Sequence, residues 1–164
     1  MADGKNDILP LDEFDVKILR ALQRNCKASF NDIAAEVGLS PSACHKRLKA
    51  IEESGIISSY VAIIAEEKVG LKTNVFVQVT LKSQKEETLT AFENSVSRHR
   101  EIMECYLMAG LSDYMLRILC KDAEDYERIH NQILTRLPGV DRVLTNFAIR
   151  KVLRRTAVPA LPEG

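Results

Sequence analysis

The chain has 164 residues, 46% of them hydrophobic, and its 23 basic side chains balance 23 acidic ones. That length holds one medium domain or two small ones, and the balanced charge excludes a protein drawn to polyanions by its overall field, so any nucleic-acid affinity must come from local clusters. No apolar run approaches the roughly 20 residues of a bilayer-spanning helix, and the start MADGKNDILPLDEFD is too acidic and polar for a signal peptide, so a cytoplasmic protein is expected.

Residues 1–11 read as a flexible N-terminus. Asp12 caps a first helix in which Phe14, Ile18, Leu19 and Leu22 recur at helical spacing up to about Arg24. Ser29 and Asp32 form a capping-box-like start to a second, with Ile33, Ala34 and Val37 as a small buried stripe, and Gly38 supplies the backbone freedom of a tight corner. Ser40 then caps a third helix with Pro41 at its first position.

That third helix has two faces. Cys44, Leu48 and Ile51 fall on one side and Ser42, Lys46, Lys49 and Glu53 on the other. From Ser40 to Lys49 the only ionised groups are Lys46, Arg47 and Lys49, with His45 among them, and the N-terminal side chains are small enough for close approach. A basic helix face is often only a solvated surface. Placed after a short helix and a glycine corner, it matches a recognition helix built for the DNA major groove.

After Glu53, Gly55 reads as a C-cap, and the β-branched run IISSYVAII predicts a wing or hinge strand, which completes a winged helix-turn-helix domain over residues 12–64. The polar stretch 65–72, AEEKVGLK, predicts a hinge. From Thr73 the period becomes two, with Val75, Val77, Val79 and Leu81 alternating with polar or aromatic residues: a strand. Ser83 and Glu86 open a helix to about His99, with Leu89, Phe92 and Val96 inward. Ile102–Ala109 and Asp113–Cys120 read as strands around a turn at Gly110 to Ser112. Asp122 caps another helix, buried through Tyr126, Ile129, Ile133 and Leu137 and stopped by Pro138 and Gly139. Val140–Ile149 is the last strand, with Val143, Thr145, Phe147 and Ile149 on one face.

The fold class is therefore α+β: a winged helix-turn-helix followed, over 73–152, by a βαββαβ ferredoxin-like domain, with a C-terminal tail at 153–164 carrying Arg154 and Arg155. The two halves of the second domain parallel each other, VFVQVTLKSQKEETLTAF against YMLRILCKDAEDYERI. Such a split pair gives a four-stranded antiparallel sheet with both helices on one face. The other face, expected to be too apolar to stay wet, predicts a two-fold dimer whose paired recognition helices read a pseudo-palindromic site in double-stranded DNA about 34 Å apart. Cys26, Cys44, Cys105 and Cys120 lie far apart without a C-x-x-C pair, and three sit in apolar patterns, so reduced and mostly buried thiols are expected, with no metal or cofactor.

Two motifs in order make a resemblance specific. Gly38, Leu39, Ser40, Cys44 and Arg47 match a G-L-S-x-x-x-C-x-x-R pattern, and Gly110, Asp113 and Tyr114 match G-x-x-D-Y; the chain from Leu11 to about Val152 resembles the Lrp/AsnC (leucine-responsive and asparagine-responsive) family of bacterial and archaeal transcription regulators. The resemblance implies a RAM/ACT-like second domain, dimers that often assemble into octamers, and small effectors, usually amino acids, bound between subunits. It implies a regulator and not an enzyme. Two departures stand out: many members carry a second proline where this chain has Ala43, and an Asn-Pro in the hinge where it has Ala65 and Glu66.

For DNA, Ser42, His45, Lys46 and Lys49 are expected at base edges or phosphates, with Ser40, Ala43 and Arg47 near the backbone; an internal salt bridge is the alternative for Arg47, and a methyl-sized Ala43 suits a thymine methyl. For the effector, the turn at Gly110, Leu111 and Ser112 offers backbone N–H groups to a carboxylate. Asp113 offers an acceptor to an ammonium group or else caps the turn, and Tyr114 packs at an interface or touches ligand. By similarity to the family, Leu137, Gly139, Val140 and Thr145 form the opposite wall. Met108, Leu111 and Leu137 favour an effector with an apolar or small side chain. Effector binding is expected to shift the assembly state and so operator binding; an architectural protein coating DNA with little discrimination is the other reading.

Overall fold

The computed structural model describes residues 11–158, so the expected flexible N-terminus lies almost wholly outside the described residues, as does the end of the tail. The chain divides into two compact units. One runs through Ile63 and regains the chain from Leu153; the other is Ile64–Val152.

The first unit is a three-helix arrangement. Helix α1 (Glu13–Arg24) starts from a capping box in which Asp12 and Asp15 satisfy each other's backbone amides, and α2 (Phe30–Val37) starts from the same device made by Ser29 and Asp32. Gly38, at φ 75°, closes α2 in the left-handed region where a side chain is strained. Helix α3 (Pro41–Glu53) follows at once, capped by Ser40. Ile18, Leu19, Ile33, Val37, Cys44, Leu48 and Ile51 bury together, while Phe14, expected in the α1 stripe, is only half-buried, with the Arg47 guanidinium over its ring, and Leu22 packs at the edge of the core.

The wing is a correction. Residues 58–65 form neither helix nor strand, and no strand precedes Thr73 among the described residues. A strand needs a ladder partner, and this chain offers none there. Tyr60, Val61, Ile63 and Ile64 are left exposed.

The second unit has the predicted order: β1 (Thr73–Leu81), α4 (Glu86–Val96), β2 (Ile102–Leu107), β3 (Tyr114–Cys120), α5 (Ala123–Gln132) and β4 (Val140–Phe147). The sheet is antiparallel throughout, in the order β2-β3-β1-β4. Val75, Val77 and Val79 on the central strand are fully buried against Leu116, Ile118, Phe92 and Ile129, so both helices cover one face. Asp122 caps α5 as expected. Ser83 does not cap α4: its hydroxyl accepts from the Lys85 amide in the preceding turn, and the helix starts at Glu86 and ends at Val96. The strands are shorter than the alternation suggested. β2 stops at Leu107, β3 starts after Asp113, and β4 stops at Phe147, leaving Ile149 fully exposed where no neighbour continues the ladder.

Two surface expectations also change. Cys44 and Cys120 are buried, but Cys26 and Cys105 are exposed, the latter because it lies on the edge strand β2. On the open face of the sheet, exposed Phe76, Tyr106 and Leu144 alternate with Asn74, Gln78 and Arg117, so that face is mixed and not uniformly apolar.

Lys82 donates to the carbonyl of Gly139, tying the end of β1 to the start of β4 at 2.8 Å. Gly139 has φ 73°, and a Cβ there would lie 2.6 Å from the Thr88 methyl. Gly139→Ala is expected to cost about 1–3 kcal/mol, chiefly backbone strain, measured as a lower urea midpoint at unchanged slope.

Candidate functional site

Helix α3 presents Ser42, His45, Lys46 and Lys49 to solvent while Cys44 and Leu48 are buried beneath them. The local order at its start is set by hydroxyls: Ser40 accepts from the Ala43 amide and lies 3.3 Å from the Ser42 hydroxyl. Ala43 is half-buried beside them. His45 meets Phe30, at the start of α2, edge to face, with ring centroids 5.4 Å apart. Lys49 is 3.7 Å from Glu53, an exposed pair of small energetic weight, and Lys46 has no ion pair among the described residues.

Arg47 is used otherwise. Its guanidinium pairs with Asp12 at 2.6 Å and Asp15 at 2.8 Å and lies over the Phe14 ring, 5.4 Å from its centroid. The internal salt bridge named as the alternative is therefore present, and it joins α3 to the cap of α1. The hydrogen bonds that Arg47 donates to Asp15 and Asp12 raise its pKa, while the Asp15 amide and then Arg47 hold the Asp12 carboxyl below its ordinary value of 3.8. A depressed carboxyl stabilises the fold above 3.8 and loses that contribution as pH falls through its lower folded value. The difference in melting temperature between wild type and Arg47→Met is expected to be constant near neutrality and to shrink on acidification below that point, read by a thermal melt at stepped pH.

In the second unit, the predicted effector residues divide into a rim and a core. Met108, Gly110, Leu111 and Ser112 form the exposed β2–β3 turn, with Leu111 97% exposed, and Gly139 and Val140 lie beside the same end of β1, since Leu81 is paired with Val140. Asp113 is 8% exposed, and both its oxygens are occupied: Oδ2 accepts from the Leu81 amide and Oδ1 from the Gln84 side chain, each at 2.7 Å. Its own amide donates to Val79, and its carbonyl accepts from Met108. It caps the neighbouring strand, a role that spacing within the turn did not reveal.

Tyr114 lies in the core of the unit. It is 1% exposed, stacks on Phe92 at 4.4 Å between centroids, and donates its hydroxyl to Glu93 at 2.7 Å. Burial, then Glu93, pushes its pKa up. Within the chain it is a core residue, packed between β3 and α4. Leu137 is likewise buried, and Thr145 faces α5, where its hydroxyl meets that of Tyr126 at 2.5 Å. Gln84 was missed because only the fold brings it to Asp113. A separate cavity of about 340 Å³ opens along the β2 edge between Glu93, Val96, Met103 and Leu107.

Asp113→Ala leaves the Leu81 amide without its acceptor and is expected to cost about 1–3 kcal/mol. Asp113→Asn keeps an acceptor and should cost less, both read from urea denaturation.

Residues 11–52 match the AsnC-type helix-turn-helix domain, and residues 74–158 match the Lrp/AsnC ligand binding domain. An HTH-type transcriptional regulator of Sinorhizobium fredii is 48% identical over 118 residues, 72% of this chain and 93% of the relative. The Bkd operon transcriptional regulator of Pseudomonas aeruginosa is 38% identical over 91% of this chain and 97% of its own length. A transcriptional regulator of Neisseria meningitidis, solved in complex with L-Met, superposes with a TM-score of 0.87 at 30% identity, covering 91% of this chain and 96% of that one. These relatives are DNA-binding regulators and not enzymes, and this chain belongs to the Lrp/AsnC family of transcriptional regulators, with a helix-turn-helix domain and a ligand-binding domain.

Proposed function

We propose that this regulator acts as a homodimer, or a higher even oligomer such as an octamer, that reads a pseudo-palindromic DNA site through α3 and changes its binding when a small amino acid occupies the rim at the end of the C-terminal sheet. The observation that carries the DNA half is the exposed row Ser42, His45, Lys46 and Lys49 on a helix whose opposite side is buried. Ser42 and His45 are placed for base edges, and Lys46 and Lys49 for bases or phosphates. Ser40 and Ala43 lie where the helix start approaches the DNA backbone. Arg47 serves by holding α3 against α1.

The amino-acid half is supported by the L-Met complex of the similar Neisseria regulator and by the chemistry of the rim. The backbone N–H groups of Gly110, Leu111 and Ser112 suit a carboxylate, with Val140 and Gly139 opposite. Asp113 orients that turn through its bonds to Leu81 and Gln84, so an ammonium group calls for an acceptor from a second subunit. Exposed Met108 and Leu111 favour an apolar or small side chain. Pairing of subunits is supported by exposed Phe76, Tyr106 and Leu144 on the open sheet face and by Tyr60, Val61 and Ile63 in the unpaired segment.

A thermal-shift screen against the twenty amino acids tests the ligand half. An effector at about 100 times its dissociation constant adds about 2.7 kcal/mol to the folded state, and a screen in which none shifts the melt overturns it. For DNA, Lys46→Ala is expected to lower affinity for selected and random duplexes alike and to reduce the salt slope by about 0.9. Equal affinity of wild type for selected and random sequences would place the protein among nonspecific coats instead.

A further inference from the structure

The open face of the sheet holds a charge cluster that the functional reading does not use. Arg117, mid-strand in β3, is 9% exposed. Its Nε donates to Glu104 on β2 at 2.7 Å, its Nη1 to Asn74 on β1 at 2.5 Å, and its Nη2 lies 3.5 Å from Glu66 Oε1. The other oxygen of Glu66 accepts from Lys151 Nζ at 2.7 Å. The Glu66 side chain is only 10% exposed, so this is a buried carboxylate bridging two cations and not a loose surface pair.

Placement gives the cluster its meaning. The chain passes between the two units at Ile63–Ile64 and again at Val152–Leu153. Glu66 stands three residues after the first crossing, and Lys151 two residues before the second. One carboxylate therefore joins the start and the end of the ligand-binding unit and fastens both to the floor of its sheet through Arg117. The stretch that follows Glu66 is itself ordered as a 3-10 turn over Glu66–Val69, closed by Gly70 and by the Leu71 amide donating to the Glu66 carbonyl. The segment expected to be a polar hinge is thus built into the ligand-binding unit at its start.

We infer that Glu66 is a positioning residue for DNA recognition: by bridging Arg117 and Lys151 it fixes where the helix-turn-helix unit is tethered, and so sets the spacing at which paired recognition helices accept two half-sites. This rests on the dimeric, sequence-reading function proposed above. Removing the bridge leaves α3 and its base contacts unchanged but lets the tethers move independently, and the energetic distinction between correctly and wrongly spaced half-sites falls.

The test selects binding sites from a random duplex library with full-length wild type, Glu66→Gln and Lys151→Met. It then measures affinity for the wild-type site, for the same half-sites moved apart by about 5 base pairs, half a turn, and for a single half-site. Wild type is expected to prefer the selected spacing by about tenfold or more. Glu66→Gln should select the same half-site sequence, bind a single half-site within about twofold of wild type, and prefer the spacing by less than about threefold. Hydrogen exchange gives an independent readout: the Lys68, Gly70 and Leu71 amides should exchange faster in Glu66→Gln while those of β1 stay protected. If β1 loses protection, the partly exposed Lys151→Met carries the spacing test. A spacing preference equal to wild type in a folded variant overturns the role of Glu66. Absence of any half-site preference in wild type itself overturns the sequence-reading function first, and the positioning role with it.

Discussion

The ligand-binding unit depends on the burial of one strand. β1 is the only strand of the four flanked by two others whose neighbours are both distant in sequence, and Val75, Val77 and Val79 on it are completely shielded from water. Burying three such side chains contributes about 1.5–3 kcal/mol each, and the register this imposes cannot slip by one residue without turning all three to the open face. With β1 fixed, its C-terminal end becomes a scaffold. Asp113 is bonded to Leu81 on one side, and Gly139 receives Lys82 on the other, so the two walls of the proposed effector rim are both hung from the last residues of one strand.

The helix-turn-helix unit solves a different problem with little material. Its core comes from short helices, two of which begin with reciprocal capping boxes, so local hydrogen bonds supply order that a small core alone would not. The Arg47 bridge to Asp12 and Asp15 adds a polar tie between α3 and the start of α1. Because Arg47 is adjacent to Lys46, the same turn of α3 gives one cation to the scaffold and leaves its neighbour for the solvent side. Charge count along a helix does not therefore equal charge available to DNA.

This explains which features were legible in the sequence. Caps at Asp12, Ser29, Ser40 and Asp122, the glycine corner at Gly38, and the change from helical to alternating period at Thr73 are local signals, and each element they mark is present. What escaped depended on partners far along the chain. The run at 56–64 has the composition of a strand, but composition does not provide a ladder. Tyr114 is buried by Phe92 and Glu93, which only the fold brings beside it, and the position of Cys105 follows from β2 being an edge. Glu66 and Arg117 are 51 residues apart, and nothing in the periodicity of either segment announces their meeting.

The zero net charge gives the tether its importance. A strongly basic protein gains affinity from its whole surface and tolerates loose geometry. Here the exposed cations of α3 are few, so one recognition helix alone has modest hold on a polyanion. On the dimeric reading, useful affinity comes from two helices binding together, and the gain from the second event depends on the effective concentration at which its tether presents it. That concentration is high only when the tether's allowed positions overlap the half-site, and it falls when the same chain is free to sample more space. On the proposed role of Glu66, order at residues 66–71 and the clamp on Lys151 restrict that sampling, and specificity for spacing would then reside in the ligand-binding unit, away from the exposed row of α3.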